Sequence, residues 1–304
     1  MQYFSDQERG PQPRSLETIS PTAWGGIIAA VKSAVEDGSF GEDFPETCPD
    51  GGAVCGSDSK AFPLALKAEV HGIEWPLQLE TSEGEGWQAT MVPYAPHFLD
   101  ALDLIQFCYR HVSKATQHDY HSYFRHHHLS FDRDSGRREF RARINRIFSR
   151  NGISFDLLSD GTITRLAPPV LAEALRSPLR PTFDSALDHL FEDARRKFLS
   201  PDLKVRKESL EKLWDAWERL KTLHVPLDKK ASVARLLEQA SPESKFRERL
   251  NREAHELTEI GNHFMIRHSE VEKTPIDGSS QVDYLFHRLF ALTRLLIENG
   301  LDKR

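Results

Sequence analysis

The segment DYLFHRLFALTRLLI, Asp283 to Ile297, constrains the fold more than any other. Leu285, Leu289, Leu292 and Leu296 recur at spacings of four, three and four, the period of one helical face. A chain end frays unless it is docked, so a terminal helix this apolar predicts a bundle around it. The preceding GNHFMIRHSEVEK sets Asn262, His263, Arg267, His268, Glu270 and Lys273 beside that helix. A fold for the C-terminal half and a place for chemistry are therefore read from one stretch.

The residues before it repeat the helical pattern. Leu210, Leu213, Trp214, Trp217 and Leu220 line one face of a helix whose other face carries Lys207, Glu211, Lys212, Asp215 and Arg219. Further helices are predicted from about Lys229 to Gln239, from Ser241 to about Met265 and from Gln281 to Glu298. Short connections between them give an antiparallel helical bundle. The N-terminal half is mixed. A helix is expected over Thr22–Glu36, capped by Ser20 with Pro21 at its start, and another over about Pro96–Lys114. Gly38–Lys60 reads as an irregular loop and Ala61–Pro93 is ambiguous. A third helix, about Gly136–Arg150, stops at Asn151-Gly152. It is followed by alternating Ile153, Phe155 and Leu157, a turn at Asp160-Gly161, and a return strand. Helix then hairpin is the order of a winged-helix fragment and equally of many small α+β units. Pro168-Pro169 and Ser177–Pro181 punctuate the chain, and the domains are set at 1–178 and 179–304. The fold class is mainly α, an α+β N-terminal domain joined to a helical bundle.

Composition narrows function mostly by exclusion. A formal charge of -6 does not mark a general nucleic-acid binder, although a local basic surface can hide under an acidic total. Cys48, Cys55 and Cys108 are too few and too unevenly spaced for a disulfide framework. Without a membrane-length apolar run or a hydrophobic signal core, a cytoplasmic location without membrane attachment is expected.

Three constellations could carry chemistry. From Arg133 to Arg150 seven arginines face two acids. Arg137, Arg138, Arg141, Arg146 and Arg150 are the candidates to follow a phosphate backbone; the competing reading pairs these arginines with acids such as Glu42, Asp43 and Glu46. His118, His121, His126, His127 and His128 invite a metal reading, with Asp119 and Asp132 as further ligands. Three consecutive histidines on a helix point in different directions, so no metal or other cofactor is assigned. The third is the cluster at 262–268. His263 and Arg267 are four apart on a helix, and His268 follows Phe264 at the edge of the apolar stripe Leu257, Ile260, Phe264. Its competing reading is a packed histidine satisfied by Glu270 or a carbonyl.

EFRARINRIFSRNGISFDLLSDGTITRL, then ALDHLFEDARRKF and VRKESLEKLWDAWERLKTL, resemble the AbiJ-type abortive-infection proteins of bacteria. The opening YFSDQERGPQPR and the AWGGIIAAV helix are similar to the start of the same group, and the C-terminal half looks like a HEPN-type helical domain. The resemblance implies antiphage defence, by an endoribonuclease that needs no metal and acts as a homodimer on RNA. A phage protein or nucleic acid would be the trigger. The usual HEPN signature is Arg, a polar residue, four or five further residues, then His. Arginine steadies developing phosphate charge while histidine moves a ribose proton. Carried onto this chain, His268 is the acid/base, Arg267 the phosphate stabiliser and Asn262 the orienting group, with His263 in support. The chain departs from the signature, because Gly261 stands where the arginine would be. A looser match runs from Arg249 to His255, with the apolar Leu250 where the polar residue would follow the arginine. The alternative is a non-enzymatic binding or oligomerisation module, with the basic N-terminal helix recognising nucleic acid or a phage protein.

Overall fold

A computed structural model of the chain describes residues 3–84, 89–176, 179–266 and 273–301, with side chains described except at 169 and 170. Two compact units divide between Leu166 and Ala167. The sequence-based boundary at 178 lies one short helix later.

The first unit is built on three long helices and four antiparallel hairpins. In chain order it runs α1 (Phe4–Arg9), α2 (Pro21–Glu36), β1 (Pro45–Thr47), β2 (Val54–Ser57), α3 (Ala61–Glu69), β3 (Glu80–Glu83) and β4 (Thr90–Pro93). It continues through α4 (Phe98–His111), β5 (Lys114–His121), β6 (His126–Asp132), α5 (Arg133–Arg150), β7 (Phe155–Leu157) and β8 (Ile163–Arg165). The Ser20 hydroxyl accepts from the Ala23 N–H at the start of α2, as the Ser-Pro pair predicts. Asp132 caps α5 in the same manner through Ser135. The core joins Trp24, Ile27 and Val31 of α2 to Leu102 and Ile105 of α4, and to Ile144 and Phe148 of α5. α5 lies very close to the chain that leaves α4. A Cβ at Gly136 would stand 2.4 Å from both the Lys114 nitrogen and the Ser113 carbonyl carbon, so that close approach needs glycine.

Two stretches differ from expectation. The loop expected over Gly38–Lys60 contains the β1–β2 hairpin, too short to show alternation. The histidine-rich run is not helical: β5 and β6 form a hairpin through it. Its helical reading failed because consecutive histidines carry no periodic signal of their own, while Thr116, Tyr120 and Phe131 supply β-propensity. The β7–β8 hairpin follows α5 as expected. Its turn is held down, since the Tyr109 hydroxyl donates to the Ser159 carbonyl at 2.6 Å and Gln106 donates to that of Gly161.

The second unit is helical: α6 (Pro169–Arg176), α7 (Ser185–Phe198), α8 (Leu203–Leu220), α9 (Lys229–Ala240), α10 (Ser244–His263) and α11 (Ser279–Gly300). Asp184, Asp202, Asp228 and Glu243 cap α7 to α10 with side-chain carboxylates, which also suit the positive helix N-terminus. The apolar stripe of α11 docks as predicted, with Phe286 stacked on Phe198 at 3.9 Å between centroids and Leu289 and Leu296 fully buried. The Arg206 guanidinium is buried at the start of α8, where it donates to the Ser200 and Pro201 carbonyls and to Ser279 Oγ. It thereby fixes where α11 begins. Among the described residues no helix is long and apolar enough to cross a membrane.

Candidate functional site

The helix α10 is amphipathic in a way that separates packing from chemistry. Ala254, Leu257 and Gly261 are buried. Asn251, His255, Thr258 and Asn262 follow at spacings of four, three and four on another face. His255 and Thr258 line a groove of about 550 Å³ together with Trp217 of α8, Lys221 at that helix's C-cap, and Lys229 and Lys230 of α9. Lys221 lies over the Trp217 ring at 5.2 Å and donates to Glu218 at 2.6 Å and to Thr258 Oγ1 at 3.2 Å. Lys229 also donates to Glu218, at 3.0 Å. Burial works to raise the Glu218 pKa, but the two ammonium groups outweigh it and hold the carboxyl below its usual range. Lys230 is exposed at the rim. The groove thus presents the Lys229 and Lys230 ammonium groups, the His255 imidazole, the Glu259 carboxylate and the Asn251 and Thr258 side chains, while Lys221 is buried in its wall.

Asn262 and His263 end the same helix, and both are exposed. Asn262 Nδ2 lies 3.5 Å from Glu259 Oε1, and His263 Nδ1 lies 2.8 Å from the Glu259 carbonyl. Arg267 and His268 lie outside the described residues. The chain on either side of them is pinned together: Phe264 bridges Thr274, and the Met265 N–H donates to the Thr274 carbonyl at 2.9 Å.

Gly261, where the HEPN signature would put its arginine, is tightly packed. A Cβ at Gly261 would stand 2.3 Å from Cδ1 and 2.4 Å from Nε1 of Trp214. That indole is buried and donates to the Leu257 carbonyl at 2.9 Å. No arginine fits at 261 while Trp214 keeps this position. Arg249 and His255 of the looser match are both exposed on α10, about 120° apart around the helix.

On α5 the arginines divide. Arg133 pairs with Glu42 and Asp43, at 3.0 and 2.5 Å, as the competing reading had it. Arg137 donates to the Tyr109 and Arg110 carbonyls. Arg150 pairs with Asp6 and covers the Tyr3 ring at 4.5 Å. Arg143, outside the candidate set, donates to the Ala29 carbonyl. Arg138 is exposed and bonds only Ser135 among the described residues. Arg146 is exposed and Arg141 half-buried, and neither has a partner among the described residues. Arg138, Arg141 and Arg146 are therefore the α5 arginines left to meet an external anion.

Sequence reading missed two features. The His255 groove was signalled by the Asn251, His255, Thr258, Asn262 spacing, but its lysines come from two other helices. The histidine hairpin hid a face shared by His126 and His128, since residues two apart on a strand point the same way.

The profile of AbiJ N-terminal domain 4 matches residues 2–181, which is more than half of the chain. The chain belongs to the AbiJ N-terminal domain 4 family. The match takes in the first unit from residue 2 onward and α6, and with it comes an abortive-infection, antiphage role. No curated protein matches the chain, and no solved structure does. The AbiJ-type region holds the α5 arginines and the histidine hairpin; α7 to α11, with the His255 groove and the Asn262–His268 cluster, lie beyond it.

Proposed function

We propose that this AbiJ-type protein defends bacteria by cutting RNA with its helical second unit, acting as a HEPN-like, metal-independent endoribonuclease in a homodimer. The observation that supports this reading is the polar face of α10. It runs past His255 and the groove lysines to Asn262 and His263, immediately before Arg267 and His268. A phosphodiester backbone lying along the groove meets the Lys229 and Lys230 ammonium groups, and Arg267 and His268, which follow α10 in the sequence, supply the guanidinium and the imidazole. His268 moves the proton of a ribose 2'-hydroxyl, Arg267 steadies the phosphorane-like charge, and Asn262 with His263 orients the substrate. The first unit serves as the sensor for a phage protein or nucleic acid, with Arg138, Arg141 and Arg146 on its basic helix.

The test is growth arrest on induced expression, alongside cleavage of total RNA by purified protein. Arg267→Ala with His268→Ala should abolish both while leaving the helical circular-dichroism spectrum intact. Undiminished activity in the double variant removes this site from consideration.

A second reading has its own support in Gly261, whose packing on Trp214 excludes the signature arginine. In that reading the second unit is a non-enzymatic binding or oligomerisation module, and nucleic acid is recognised through the winged-helix-like α5 and its hairpin. Retention of RNA without cleavage would favour it.

A further inference from the structure

The register of the β5–β6 hairpin gathers imidazoles on one face. His118 pairs with His128, His121 pairs with His126, and Tyr120 pairs with His127, with a bulge between His118 and Tyr120. Directly paired residues share a face, and the bulge, with Asp119 at φ +38°, keeps both His118 and His121 on the same side. Four rings therefore crowd together: His126 to His128 at 5.7 Å between centroids, His121 to His126 at 5.7 Å and to His128 at 6.0 Å, and His118 to His128 at 6.2 Å. His127 faces away and packs on Tyr120.

Cys48 meets this face from the loop after β1. Its position is set by backbone, since its N–H donates to the Ala53 carbonyl at 2.7 Å and its own carbonyl accepts from Gly52. The thiol is buried, and Cys48 Sγ and one ring nitrogen each of His126 and His128 lie within 4.8 Å of one another. Both Nε2 atoms are buried without a hydrogen-bond partner. Buried imidazole nitrogens are normally satisfied, and two orphaned ones beside a buried sulfur need a common explanation.

We propose that Cys48, His126 and His128 bind a zinc ion. One thiolate and two imidazoles are a zinc donor set, and ligand lengths of about 2.0–2.3 Å require the three atoms to draw in by only roughly an ångström. The fourth tetrahedral position falls to a water; His121 stands beside the site with both ring nitrogens partnered, Nε2 at 3.2 Å from Asp50 Oδ2 and Nδ1 accepting from the Phe124 N–H at 3.4 Å. Cys48 binds as thiolate and releases its proton. The ion would tie the β1–β2 hairpin to the β5–β6 hairpin, closing a chain segment that includes α3 and α4, so its main effect is on the stability of the first unit.

The test uses the full chain with any polyhistidine tag removed. Elemental analysis should find about one zinc per chain, surviving gel filtration. His126→Ala with His128→Ala should lose at least nine-tenths of it, and His127→Ala, on the opposite face, should keep it. Wild-type protein stripped and refilled with cobalt(II) should show intense tetrahedral d–d bands and a thiolate-to-cobalt charge-transfer band. This arm needs no variant to fold. Zinc absent as purified, together with cobalt spectra of an octahedral, sulfur-free ion, would overturn the assignment. So would metal retained equally by the His126/His128 double variant, which would mean an adventitious ion only.

Discussion

Gly261→Ala isolates the packing that separates this chain from the HEPN signature. The added Cβ would meet the Trp214 ring at 2.3 and 2.4 Å, well inside van der Waals range, and the indole is fully buried with its N–H donated to Leu257. Overpacking of this kind costs about 1–3 kcal/mol, and displacing the ring forfeits a hydrogen bond worth about 1 kcal/mol. Against this, replacing glycine by alanine inside a helix gains about 1 kcal/mol. The net expectation is a loss of about 1–3 kcal/mol, which for a unit of this size lowers its melting temperature by roughly 4–12 °C. Urea titration followed by far-ultraviolet circular dichroism and by tryptophan fluorescence measures it, with Trp214 and Trp217 among the five tryptophans that contribute to the fluorescence transition. Gly261→Arg should cost more and should not raise RNA cleavage. A Gly261→Ala protein as stable as the parent would refute the argument, because helix propensity would then have won and the indole would be free to move.

Other outcomes follow from particular side chains. The Arg219 guanidinium, bonded to Asp184 at 2.8 Å, holds that carboxyl below the usual carboxylate range. The stability it confers is present above the unfolded carboxyl pKa of about 3.9 and is lost as pH falls through the lower folded value. Asp184→Ala should cost about 0.5–2 kcal/mol at neutral pH through the lost cap of α7. Asp184→Asn keeps a capping side chain and should flatten the acid limb of the denaturation curve; an unchanged acid limb would contradict the pairing. Replacing Arg138, Arg141 and Arg146 together by alanine should weaken nucleic-acid binding by the full chain. It should also flatten the dependence of log K on log salt by about 0.7–0.9 for each phosphate that is no longer neutralised, while stability stays within about 0.5 kcal/mol per site. A salt slope equal to the parent's would clear α5 of that role.

How far the fold could be read depended on how local each signal was. The cap of α2, the apolar stripes of α8 and α11, and the stop at Asn151 are decided by residues within a turn or two, and their elements appear within a few positions of expectation. Hairpins as short as β1–β2 hold only three or four residues a strand, too few for alternation to speak, and this one packs on α2 and β6. The five clustered histidines were misread for a related reason. On a helix they diverge, on a strand His126 and His128 converge, and only the partner strand and Cys48, some eighty positions earlier, decide between the two. The candidate site was legible only in part. Asn262 and His263 occupy the end of a helix the sequence foretold, whereas the groove beside His255 draws its lysines from α8 and α9, whose relation to α10 no local pattern encodes. The glycine at the signature position looked like a missing arginine in the sequence. In three dimensions it is the seat of a tryptophan.

The most direct measurement is incubation of the purified full chain with total RNA in EDTA, beside a zinc-replete, magnesium-free arm, using the parent and the Arg267→Ala, His268→Ala variant. Time-dependent cleavage by the parent in both arms, absent in the variant, is the expected result. RNA retained intact by the parent, or cut equally well by both proteins, would contradict the ribonuclease account.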